Sequence, residues 1–255
     1  LRLAQKPKVG DYVEFEQFDD LYGIESIYPR NNELVRPPVA NIDQALVVMS
    51  CHEPDFSSAL VDRLSFFCQM EHIKPIICIT KMDLASENDP IYPLIEDYKK
   101  SGYEVVLCDK YTLNHEIIRL MKDKVTTLIG QSGVGKSSLM NLIDPSLNLS
   151  TQVISKALNR GKHTTRHSQL YRYYDGFIAD TPGFSALDLN LLDIDQLKNS
   201  ILDFQPYIQE CYFNDCHHIN EPKCAVKKAV QEGRVSQIRY ENYLKVIELI
   251  KENKK

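Results

Sequence analysis

The segment Gly130-Gln131-Ser132-Gly133-Val134-Gly135-Lys136-Ser137 constrains this chain more than any other, because it fits G-x-x-x-x-G-K-[ST] between an apolar run and a helix-like stretch. Its glycines let the backbone wrap closely around phosphate oxygens. Successive N–H groups, continuing through Ser138 at the helix N-terminus, add positive potential. Lys136 is expected to reach the β and γ phosphates of a nucleotide, and Ser137 to ligate Mg²⁺. Such a loop needs a parallel sheet behind it. The apolar runs Ala45 to Met49, Ile76 to Thr80, Glu104 to Cys108, Thr126 to Ile129 and Phe177 to Asp180 alternate with helix-like stretches, as βαβ units require. One expected helix runs from Ser57 to His72, with Leu60, Leu64, Phe67 and Cys68 on one face and Pro75 beyond its end. The expected class is therefore α/β.

Two further motifs fall at strand ends. Asp180-Thr181-Pro182-Gly183 ends the last apolar run, so Asp180 is expected in the Mg²⁺ shell and the Gly183 amide at the γ phosphate. Between this motif and the phosphate loop lies Arg160-Gly161-Lys162-His163-Thr164-Thr165-Arg166-His167, a polar stretch suited to a switch loop that gives the metal a Thr hydroxyl, from Thr165 or its neighbour Thr164. Thr80-Lys81-Met82-Asp83 ends another run and resembles the [NT]-K-x-D guanine motif of G proteins. A carboxylate at Asp83 can accept from both N1–H and the exocyclic amine of guanine, whereas adenine offers the opposite polarity at that edge; the stem of Lys81 would stack over the base. GTP is the expected nucleotide. Cys108-Asp109-Lys110 stands where a fifth, Ser-Ala-type element belongs, without a clear match.

The order of the motifs is unusual. Ordinary G proteins place the base motif last, but here it precedes the phosphate loop by about fifty residues. With GQSGVGKSS, NRGKHTTRH, DTPGF and TKMD in place, the chain resembles the circularly permuted small-ribosomal-subunit biogenesis GTPases, the RsgA family. The resemblance implies an N-terminal oligonucleotide-binding (OB-type) β-barrel, a circularly permuted G domain and a C-terminal zinc domain. The expected boundaries are 1–38, 39–186 and 187–255. Residues 1–38 are shorter than the family's barrel and begin at Leu1 rather than Met, so the barrel is expected to be incomplete. Its expected strand segments are Asp11 to Phe15 and Ile24 to Tyr28.

The tail carries its own chemistry. Cys211, Cys216, His218 and Cys224 supply three thiols and one imidazole, a set that fills tetrahedral Zn²⁺ with no open position, so the site is structural. His217 is an alternative to His218. The other cysteines, Cys51, Cys68, Cys78 and Cys108, fall singly in or near apolar runs, which suits a reducing cytoplasm. Tyr240, Tyr243, Leu244, Ile247 and Ile250 follow at helical spacing and read as a packing stripe.

With 30 Lys and Arg against 35 Asp and Glu the formal charge is −5, which excludes a uniformly basic nucleic-acid coat. Locally the balance reverses: from Pro145 to Tyr174 there is no Asp or Glu, and Lys223, Lys227 and Lys228 cluster beside the cysteines. Such bands can meet RNA phosphates. No apolar run reaches the roughly 18 residues of a membrane span.

Together with the resemblance, these features lead to the expectation of a cytoplasmic, monomeric GTPase that binds the small ribosomal subunit and its rRNA during late assembly. The rival reading is a GTP-gated RNA-binding switch with negligible turnover. Where many G proteins carry a glutamine after D-x-x-G, this chain has Phe184, whose ring cannot orient water. His163, beside the switch threonines, is the candidate catalytic residue.

Overall fold

The computed structural model describes residues 5–19, 21–34, 38–110, 112, 114–144, 169–173, 175–180 and 193–253. Their centre is a six-stranded sheet built from β5 (Gln44–Ser50), β6 (Lys74–Thr80), β7 (Glu104–Leu107), β8 (Val125–Ile129), β9 (Gln169–Tyr173) and β10 (Gly176–Asp180). The strand order is β7-β6-β5-β8-β10-β9, with parallel pairing throughout except between β9 and β10. Each of the five apolar runs of the sequence is one of the parallel strands. No apolar run marks β9; with Tyr171 and Arg172 exposed, it is an edge strand whose apolar pattern is weak.

β5 is buried at every residue, as expected of a central parallel strand covered on both faces. Helix α1 (Ser58–Met70) packs on β5 and β6 and buries Val61, Leu64, Phe66, Phe67 and Cys68. The Ser57 side chain caps it by accepting from the Leu60 N–H. Helices α2 (Ile91–Lys100), α3 (His115–Met121) and α4 (Lys136–Ile143) complete the βαβ connections. Pro75, beyond the end of α1, lies near the start of β6.

Upstream, β1 (Val13–Phe18) and β2 (Leu21–Ile27) form an antiparallel hairpin, with a register irregularity at Glu14/Phe15. These strands run closer to their turn than the alternating residues indicated. β3 (Glu33–Leu34) pairs with β4 (Val39–Ala40), so strand pairing carries past residue 38.

Beyond the sheet come α5 (Ile194–Ser200), α6 (Gln205–Ile208), α7 (Ala225–Gln231) and α8 (Gln237–Asn253). On α8, Tyr243, Ile247 and Ile250 are buried and Tyr240 and Leu244 pack against the core, which makes the helical stripe a packing face. No helix among the described residues is long and apolar enough to cross a membrane.

Candidate functional site

β8 runs directly into the phosphate loop, and the loop into α4. Two glycines are dictated by geometry. Gly130 has φ +146°, and a Cβ there would stand 2.1 Å from the Val48 carbonyl oxygen of neighbouring β5; Gly135, at φ +91°, is the residue on which α4 begins. Lys136 Nζ donates to the carbonyl oxygens of Gly130 and Gln131, both at 2.6 Å, which folds its stem along the loop. Burial lowers the pKa of its ammonium.

The base motif meets this loop although it comes earlier in the chain. Thr80 ends β6 and is buried; its Oγ1 donates to Val134 O at 2.5 Å, tying the two motifs together. Lys81 takes left-handed φ 57°, and its Nζ donates to the Glu53 carbonyl. Asp83 Oδ1 accepts from the Lys110 N–H at 3.1 Å. Thr80, Lys81, Asp83, Gly135 and Ser138 line one cleft of about 400 Å³ with Glu53, Cys108, Asp109 and Lys110. Leu84, Leu139 and Leu142 add an apolar wall suited to a planar base.

Two parts of this cleft carry no side-chain motif. Cys108-Asp109-Lys110 presents a backbone N–H to Asp83, a role any residue but proline can fill, so no side-chain motif marks it. Glu53 likewise acts through its carbonyl. Only the position of residues 108–110 at a strand end pointed to them.

Asp180 ends β10, which pairs in parallel with the phosphate-loop strand β8. His163, Thr164, Thr165 and Gly183 lie outside the described residues.

The second site lies in the tail. The ligand atoms of Cys211, Cys216, His218 and Cys224 all fall within 4.8 Å of one another. His218 Nδ1 is 3.3 Å from Cys224 Sγ and 3.6 Å from Cys211 Sγ. His217 turns away, with Nε2 3.1 Å from Asp195 Oδ1, so the thiols face His218. Burial holds His218 down to about 4 and pushes the Cys224 thiol up to about 12. The imidazole therefore keeps a lone pair for a cation, and the buried thiols have reason to ionise only when a cation compensates them. α8 secures the loop: the hydroxyls of Tyr240 and Tyr243 donate to the carbonyls of His218 and His217 at 2.8 and 2.7 Å. Three thiols and an imidazole fit a divalent metal of the zinc class.

A family model described as RsgA GTPase matches residues 27–190. A protein of Oceanobacillus iheyensis, named Small ribosomal subunit biogenesis GTPase RsgA 2, is 47% identical over 253 residues, covering 97% of this chain and 86% of its own. The crystal structure of YloQ, titled a circularly permuted GTPase, superposes with a TM-score of 0.83 at 39% identity, covering 98% of this chain and 83% of that one. The structure of YjeQ from Thermotoga maritima gives a TM-score of 0.83 at 34% identity, over 96% of this chain and 84% of that one.

Proposed function

This chain belongs to the RsgA GTPase family, and from that premise we propose that it hydrolyses GTP on the small ribosomal subunit, timing its own release during late assembly. The observation that carries the nucleotide chemistry is the single cleft in which Asp83 and the phosphate loop meet, despite their inverted order in the chain. The names of the relatives support the choice of subunit. In this reading Thr80, Lys81 and Asp83 hold guanine. Residues Gly130 to Ser138 wrap the phosphates, and Gly183 meets the γ phosphate.

Ser137, Asp180 and Thr164 or Thr165 would hold Mg²⁺, which when bound neutralises charge on the β and γ phosphates. Lys136 neutralises the same charge from the protein side. His163 orients the attacking water from the loop that also carries Lys162 and Arg166. We place the N-terminal β module at 1–38, with its β3–β4 pairing reaching on to Ala40, the G domain at 39–186 and the zinc domain at 187–255, and assign the protein to the cytoplasm as a monomer that contacts rRNA.

The test is steady-state GTP turnover with purified small and large subunits. Small subunits alone should stimulate it. His163→Ala should keep GTP and subunit binding while losing most of that stimulation. Absence of stimulation by small subunits would overturn the proposal, and normal stimulation in the variant would clear His163.

Cys211, Cys216, His218 and Cys224 hold a structural Zn²⁺ in this reading. Cys216→Ser should lose one equivalent of zinc by elemental analysis and destabilise the tail, because metal binding there is coupled to folding. Wild-type protein prepared without chelator and containing no zinc would reject the site.

A further inference from the structure

A second group of metal-ligating side chains gathers away from the tail. Cys51 and His52 follow β5, and Asp89 precedes α2; one ligand atom from each lies within 4.8 Å of the others. His52 Nε2 stands 2.7 Å from Asp89 Oδ2, and its Nδ1 is 3.6 Å from Asp55 Oδ1. Cys51 and Asp89 are buried, 2% and 7% exposed, while the His52 side chain is 37% exposed and gives a cation a way in.

Tetrahedral bonds of about 2.0–2.3 Å set ligand atoms about 3.3–3.8 Å apart. The His52–Asp89 pair must therefore open by about half an ångström to admit an ion, and the Cys51 thiol must close in by no more than about 1.5 Å. Thiol and imidazole donors favour zinc-class cations over Mg²⁺, which prefers oxygen.

We propose that Cys51, His52 and Asp89 form a second binding site for a zinc-class divalent cation, with its fourth position open to water and Asp55 on the Nδ1 side of the imidazole. Coordination through Nε2 releases the Cys51 thiol proton to solvent; the proton between His52 and Asp89 leaves Nε2, and the ring stays neutral with a proton on Nδ1, on the side of Asp55. The site borders the base-recognition loop. The Cys51 N–H donates to Thr80 O at 2.9 Å, and Glu53, two residues on, accepts from Lys81. A bound cation pins this loop to the start of α2.

The full chain, as purified, should take up one equivalent of Co²⁺ with a thiolate-to-cobalt charge-transfer band and tetrahedral visible bands. Cys51→Ser should abolish the charge-transfer band. His52→Ala, a change at a part-exposed position that leaves the buried core untouched, should move the cobalt midpoint to higher concentration. No charge-transfer band in the wild type would overturn the proposal. So would a band unchanged in both variants, which would put the cobalt on Cys211, Cys216 and Cys224 instead.

Discussion

Replacing Arg239 by methionine is expected to lower stability by about 3–5 kcal/mol, the usual consequence of leaving buried carboxylates without their cation. Arg239 sits on α8 and is 1% exposed. Its Nε lies 3.3 Å from Asp62 Oδ1 on α1, its Nη2 3.3 Å from Asp97 Oδ2 on α2, and its Nη1 3.0 Å from Asp203 Oδ2. Nη1 also donates to Ser101 Oγ at 2.6 Å. The guanidinium lies 4.4 and 4.9 Å from the ring centroids of Tyr98 and Tyr103. Methionine keeps much of the volume but leaves Asp62 and Asp203 buried and uncompensated.

For a chain of this size that loss corresponds to roughly 10 °C in thermal midpoint. Arg239→Lys should recover only part of it, since an ammonium cannot span three carboxylates as the planar fork does. Thermal unfolding followed by circular dichroism checks both variants. A midpoint unchanged in Arg239→Met would show that the charges are screened by water and that α8 is held by its apolar stripe alone.

Lys136→Ala is expected to reduce GTP turnover by about 10²–10³-fold, the scale seen when one preorganised charge or donor is removed from a reaction centre. The side chain lies along the phosphate loop, its Nζ held by the carbonyls of Gly130 and Gln131. Its partial burial strengthens its field at the loop. Single-turnover hydrolysis and nucleotide affinity should both fall, while the thermal midpoint stays near that of the wild type. Wild-type hydrolysis would remove Lys136 from the phosphate site.

The two losses differ in kind. Lys136 acts within one loop, whereas Arg239 joins segments from α1, α2 and the residues after α5. This difference also separates what could be read in advance from what could not. The phosphate loop and the cysteine spacing are local in sequence. The five parallel strands were legible because strands buried on both faces must be nearly continuously apolar. β9 carries no such pattern because an edge strand tolerates the exposed Tyr171 and Arg172.

By itself, the sequence determined the chemistry that adjacent residues carry: a phosphate-wrapping loop, a carboxylate suited to guanine, a Cys₃His ligand set, and the permuted order in which they come. Tertiary structure alone decided which separate segments meet. It brought Thr80 to the Val134 carbonyl, the Lys110 amide to Asp83, His52 to Asp89, and Arg239 to three aspartates. It also turned His218 rather than His217 toward the thiols. The physical reason is that these contacts use backbone groups or lone side chains far apart in the chain. Their partners are set by strand order and helix packing, which no local pattern of residue types encodes.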